Sequence, residues 1–182
     1  MTKLIKSKAR VKQYGEVFTP SHIVSNMMNR LPSEAYDLNK RWLEPTVGEG
    51  VFLTFLLAHR LENIEDEYEK RDYFAAIFDA LSSMYGIDIQ RDNVVITRSR
   101  LRKMVEDFLK AREWRFSSSE WQYIDKVLEN NIICGDTLKG DFPISFFQRD
   151  NDIVTQAMFL YSDLMNSTSE PKLVVKFHLE IF

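Results

Sequence analysis

The 182-residue sequence holds a single cysteine, Cys134, so no disulfide can form within the chain and no multi-cysteine metal site can assemble. Its three histidines, His22, His59 and His178, are scattered without ligand spacing, and no metal is expected. No apolar run approaches the length of a membrane span, and the opening residues Met1-Thr2-Lys3-Leu4-Ile5-Lys6 contain no signal-peptide core. The expected compartment is the cytoplasm, with no membrane partner. A basic excess is also missing: the net charge is −3, whereas a chain that grips a polyanion by itself carries a basic face. The five prolines, Pro20, Pro32, Pro45, Pro143 and Pro171, are isolated, so Pro-Pro occurs nowhere. There is no internal repeat and no low-complexity tract.

What is present suffices for one packed domain, with 45% hydrophobic and 13% aromatic residues. Basic residues cluster over 3–12 and 98–103, and such runs ordinarily form solvated faces. Residues 1–13 read as a basic, mobile arm and 14–182 as the domain. Thr19 is placed to cap a helix opened by Pro20, with Ile23, Val24, Met27, Met28 and Leu31 at helical spacing and Pro32 closing it. A first strand is expected at 41–43, helices over 50–61 and 62–83, a strand at 84–89, a long amphipathic helix over 93–114, a helix capped by Ser117-Ser118-Ser119-Glu120 running to about 130, and a strand at 132–134. Beyond 140 the pattern is less legible: 152–154 reads as a fourth strand, 157–165 as a short helix, 167–171 as a loop and 173–181 as a strand. Alternating strands and helices imply an α/β fold with a mostly parallel sheet and helices on both faces.

The chain is punctuated most sharply at 43–52, Leu-Glu-Pro-Thr-Val-Gly-Glu-Gly-Val-Phe, which reads as strand, tight turn and helix start. Gly48 and Gly50 allow positive φ and a close approach of backbone N–H groups to a bound group. A dinucleotide fingerprint would need a third glycine at 53, where the chain has Leu53, so a different nucleoside ligand is indicated. Phe52 reads as core. Five of the six glycines (Gly15, Gly48, Gly50, Gly86 and Gly135) fall in four ordered segments: Gly-x-x-Phe-Thr-Pro, Leu-Glu-Pro-x-x-Gly-x-Gly-x-Phe-Leu, Gly-Ile-Asp-Ile and Gly-Asp.

Together these segments resemble the N-terminal half of the S-adenosylmethionine-dependent DNA adenine-N6 methyltransferases of restriction–modification systems, in the arrangement where target recognition follows catalysis. The resemblance covers residues 13 to about 140 and implies a Rossmann-like class I methyltransferase fold, possibly incomplete. It implies that Phe18, Thr19 and Pro20 border the methionine moiety of S-adenosylmethionine, whose carboxylate suits a helix N-terminus. Glu44, Pro45, Gly48 and Gly50 would form the turn beneath methionine and ribose, with Glu44 facing the ammonium or sulfonium charge. Asp88 would accept hydrogen bonds from the ribose hydroxyls, Ile89 would pack on the adenine, and Asp136 would accept from its amino group. Asp88 and Asp136 each also suit a helix cap.

The resemblance fails at one point. In this family the fourth strand leads into Asn-Pro-Pro-Tyr or a close variant, which binds the target amine and stacks on a flipped base. Here the corresponding stretch is Gln156-Ala157-Met158-Phe159, so Gln156 and Phe159 are the nearest catalytic candidates. No target-recognition region is recognisable. The chain is therefore expected to be inactive alone, a cofactor-binding portion whose catalytic and target-recognition segments come from a larger enzyme or a protein partner, which would also supply contact with DNA. The alternatives are a catalytically silent regulator or decoy that binds the cofactor or a methyltransferase, and an α/β domain for another adenosine-containing ligand.

Overall fold

The computed structural model describes residues 5–166 and 170–179. In chain order the elements are α1 (Lys8–Tyr14), α2 (Ser21–Met28), β1 (Trp42–Glu44), α3 (Val51–Glu67), α4 (Tyr73–Ser82), β2 (Met84–Asp88), α5 (Arg91–Ala111), α6 (Ser118–Asn131), β3 (Ile132–Cys134), β4 (Pro143–Asp150), β5 (Ile153–Leu160), α7 (Tyr161–Met165) and β6 (Leu173–His178). The fold is α/β. Its first three strands form a parallel sheet in the order β1-β2-β3, with Glu44 opposite Gly86 and Asp88 opposite Cys134.

Along β2 the side chains alternate. Met84 belongs to the main helical core, as does Ile132 of β3, and a Cβ on Gly86 would strike Val47 and Leu53. Tyr85 and Ile87 point the other way and, with Ile133, meet Phe142, Ile144 and Tyr161. Helices were expected on both faces; instead, β4, β5 and β6 form a separate antiparallel sheet whose Ile144 and Phe146 cover the second face. Phe147, on the opposite side of β4, packs edge-on against Phe78 of α4.

Several local expectations are corrected. The stretch read as a mobile arm contains α1, capped by the Ser7 hydroxyl at its start and by Gly15 in the left-handed region at its end. Pro20, not Thr19, is the residue before α2, and no side chain caps that helix. Apolar positions at Leu57, Leu61 and Ile64 keep α3 helical through Glu67, past the break expected after 61. The helix expected over 157–165 is strand as far as Leu160, leaving only α7. The capping box on Ser117 and Glu120 is present as expected. The loop residues 167–169 and the last two positions of the expected final strand, 180 and 181, lie outside the described residues.

The helical layer runs beyond the sheet. α5 packs over β2 and β3, α3 packs on α5, and α2 packs on the other side of α3. The strand order ends at β1, whose outer edge is unpaired among the described residues. Ile23, Met27 and Leu31, four residues apart, are exposed on this overhang, and so is Leu43 of β1.

Candidate ligand-binding site

The carboxyl ends of the three parallel strands open into a cavity of about 490 Å³, the size range of a nucleoside-scale ligand. The bends after β1 and β2 face each other across its floor. The Gly48 N–H donates to Asp88 Oδ2 at 2.8 Å, and the Val47 N–H donates to the Ile87 carbonyl at 2.8 Å. Gly48 sits at φ +53°, and a Cβ there would lie 3.5 Å from the Phe18 ring, so this glycine keeps the floor open beside an aromatic wall. The bend after β3 joins through the Gly135 N–H, which donates to the Asp88 carbonyl at 3.0 Å, and through the Thr137 hydroxyl, which donates to the Pro45 carbonyl at 2.7 Å.

Eight of the ten expected cofactor-binding residues line this cavity: Phe18, Thr19, Glu44, Pro45, Gly48, Asp88, Ile89 and Asp136. Pro20 and Gly50 do not. Gly50 is buried at φ +79°, where an added Cβ would come within 2.6 Å of Thr97, so it serves the packing of α3 on α5. Phe52, read as core, packs against the main core and also lines the cavity. Neither Gln156 nor Phe159 lines the cavity: Gln156 donates to Ser145 and Asn130, and Phe159 packs edge-on against Phe146 beneath the parallel sheet.

Asp88 ties the bend after β1 to the start of α5 through both of its carboxylate oxygens. Oδ1 accepts from the Gln90 N–H at 2.7 Å, just before α5, and from Asn93 Nδ2 at 3.3 Å. Asp136 Oδ1 accepts from the Leu138 N–H at 3.0 Å and so shapes its own turn.

Reading the sequence missed Glu16 and Glu49 as wall residues and Asn93 behind them; Glu16 meets Asn93 across 77 positions and Glu49 meets Arg100 across 51, and no local pattern announces such pairings. Glu16 pairs with Arg10, and Glu49 with Arg100 and Lys6.

The lining carries Glu16, Glu44, Glu49, Asp88 and Asp136 but no lysine, arginine or histidine. Burial pushes the Glu44 carboxyl above its ordinary range, opposed by hydrogen bonds from Thr46. With Phe18, Phe52 and Ile89 beside these acids, the cavity suits a flat apolar group joined to hydroxyls and positive charge.

The basic run over 98–103 is engaged by groups of the chain itself, with Arg100, Arg102 and Lys103 paired at the surface. Arg98 donates to the Ile132 and Glu129 carbonyls, Arg100 pairs with Glu49, Arg102 with Asp125 and Lys103 with Asp107. Among the described residues there is no His, Cys, Asp and Glu cluster of metal-binding type and no helix long and apolar enough to cross a membrane. No family model, no curated protein and no solved structure matches the chain.

Proposed function

We propose that this chain is the S-adenosylmethionine-binding portion of a DNA adenine-N6 methyltransferase, inactive alone and completed by segments from another polypeptide. The observation that carries the reading is the acidic lining of the cavity at the carboxyl ends of parallel strands: five carboxylate residues and no basic one. Of these, Glu16, Glu49 and Asp136 pair with basic residues outside the lining, while Glu44 and Asp88 have no basic partner among the described residues. Such a lining repels the phosphates of a nucleotide and attracts a ligand that carries sulfonium and ammonium charge. The Asp88 carboxylate suits two ribose hydroxyls, and Ile89 and Phe52 suit the faces of adenine. The open edge of β1 and the apolar overhang on α2 support the need for added strands, and the engaged arginines of α5 support recognition of DNA by another segment.

Titration calorimetry tests this directly. S-adenosylmethionine should bind, ATP should bind at least about 100-fold more weakly, and Gly48→Val should weaken binding by placing its side chain in the cavity at a positive φ. Equal affinity for ATP would overturn the reading.

A pH dependence follows from Glu44. Only its ionised form attracts a cation, and burial raises the pH at which that form appears. Affinity should therefore fall as the pH is lowered toward and through this raised value, and Glu44→Gln should flatten that profile. An unchanged profile in the variant would remove Glu44 from contact with the ligand's charge.

A second reading, a silent cofactor-binding regulator, is favoured by the structural engagement of Gln156 and Phe159. Methyl transfer to duplex DNA by this chain once a partner polypeptide is added, and by neither alone, would exclude it.

A further inference from the structure

We propose that Asn93 is a positioning residue that joins the pocket to the N-terminal segment, so that ligand binding at Asp88 and docking of α1 are one coupled event. This rests on the cofactor reading above and adds to it a closing strap, the residues that hold it and the route of the coupling.

Asn93 lies in the first turn of α5 and is 1% exposed. Its Nδ2 donates both to Asp88 Oδ1 at 3.3 Å and to Glu16 Oε1 at 2.8 Å, and its Oδ1 accepts from Lys6 Nζ at 2.5 Å. One amide thus touches the carboxylate assigned to the ribose, the acid that precedes Val17 and Phe18, and the segment leading into α1. Arg10 completes the attachment by holding Glu16 at 2.6 Å and Asp92 at 2.7 Å. Its hydrogen bond and that of Lys6 keep the Asp92 carboxyl well below the usual carboxylate range.

α1 is held by charge. No described side chain from 5 to 13 is fully buried, so little apolar surface fixes the segment, while Lys6 and Arg10 reach Glu16, Glu49, Asp92 and Asn93. Partly exposed pairs of this kind are each weak and are screened by salt. The segment is therefore anchored firmly enough to form the wall at Gly15 to Phe18, yet weakly enough for a ligand to bias it. A ligand that fixes Asp88 fixes the Asn93 amide, and the amide fixes Glu16 and the wall behind it. By reciprocity, a docked α1 raises ligand affinity by the factor by which ligand favours docking.

The test is limited trypsin digestion of the full chain with and without saturating S-adenosylmethionine, following cleavage after Lys8, Arg10 and Lys12 by mass, beside calorimetric affinities. Ligand should slow these cleavages about tenfold in dilute buffer, within the usual range of coupling between sites. Protection should vanish at about 1 M salt, where screening acts within about 3 Å. Asn93→Leu should bind about tenfold more weakly and show no protection even when saturated, a readout that a purely structural asparagine would leave unchanged. Arg10→Met, on the segment itself, should also lose protection and affinity. If Asn93→Leu does not fold, Arg10→Met decides: loss of both supports the coupling, and retention of both overturns it. Wild-type protein that binds ligand but is cleaved at an unchanged rate would overturn the coupling and leave the cofactor reading intact. Wild-type protein that binds no S-adenosylmethionine would overturn both.

Discussion

Arg60→Ala should cost about 3–5 kcal/mol and lower the thermal midpoint by roughly 10 °C, the scale expected when a buried cation bonded through both terminal nitrogens is removed from a domain of this size. The Arg60 side chain, on α3, is completely buried. Nη1 donates to the Ala80 carbonyl at 2.6 Å and to the Ser83 hydroxyl at 2.8 Å, while Nη2 donates to the Asp37 carbonyl at 2.9 Å and the Lys40 carbonyl at 2.6 Å. Ala80 lies in the last turn of α4, where carbonyls have no helical donor and positive charge is favourable. Asp37 and Lys40 precede β1. One guanidinium therefore ties the end of α4 to the entry of β1, and Ser83 in turn accepts the Trp42 N–H at 2.8 Å where β1 meets β2. Burial pulls the pKa of Arg60 down to about 10, opposed by the charge of Asp37, so it stays ionised at neutral pH. Alanine takes one donor from each of four acceptors, of which the Ala80 carbonyl keeps the Ser83 hydroxyl and the Asp37 carbonyl keeps the Lys40 N–H, and it leaves an empty volume; Arg60→Met fills most of the volume and isolates the loss of donors. Melting followed by circular dichroism checks both variants, and a methionine variant within about 2 °C of wild type would refute the hydrogen-bonding account.

Arg60 gave no signal in the sequence, where it reads as one more charge on an amphipathic helix; its acceptors are carbonyls, and carbonyls carry no residue identity. The same contrast runs through the molecule. The bends at Gly48, Asp88 and Asp136 were legible because a tight bend at a strand end needs particular residue types locally. The break after 61 was misplaced because the acids of 62–67 resemble a favourable first helical turn, whereas Leu57, Leu61 and Ile64 continue the buried stripe of α3. The β4–β5 hairpin escaped notice for two reasons. Ile144 and Phe146 pack on one side and Phe147 on the other, which erases the alternation expected of a half-buried strand. Its turn is made by Asn151 at φ +55°, without the glycine that usually marks such a connection. Glu16 and Asn93 meet across 77 positions, a pairing that only the folded chain creates.

Asp88→Ala should weaken S-adenosylmethionine binding by about 100-fold or more, since hydrogen bonds to a charged group are each worth about 1.5–3 kcal/mol and two ribose hydroxyls are assigned to this carboxylate. The substitution also frees the Gly48 and Gln90 N–H groups, so the bends after β1 and β2 lose their direct tie and some stability is lost with it. Asp88→Asn separates these effects. Its single oxygen can still accept one of the two N–H groups, but its amide nitrogen turns a donor toward the other and the negative charge is gone. Affinity should fall about tenfold for asparagine and further for alanine, while the thermal midpoint falls more for alanine than for asparagine. A different order would be decisive. If Asp88→Ala melts early yet binds S-adenosylmethionine as tightly as wild type, the carboxylate serves only the start of α5 and the Gly48 bend, and the ribose must be held elsewhere in the cavity. If both variants bind tenfold or more weakly while Glu44→Gln alters only the pH profile, the two acids divide the ligand between them, one taking its hydroxyls and the other its positive charge.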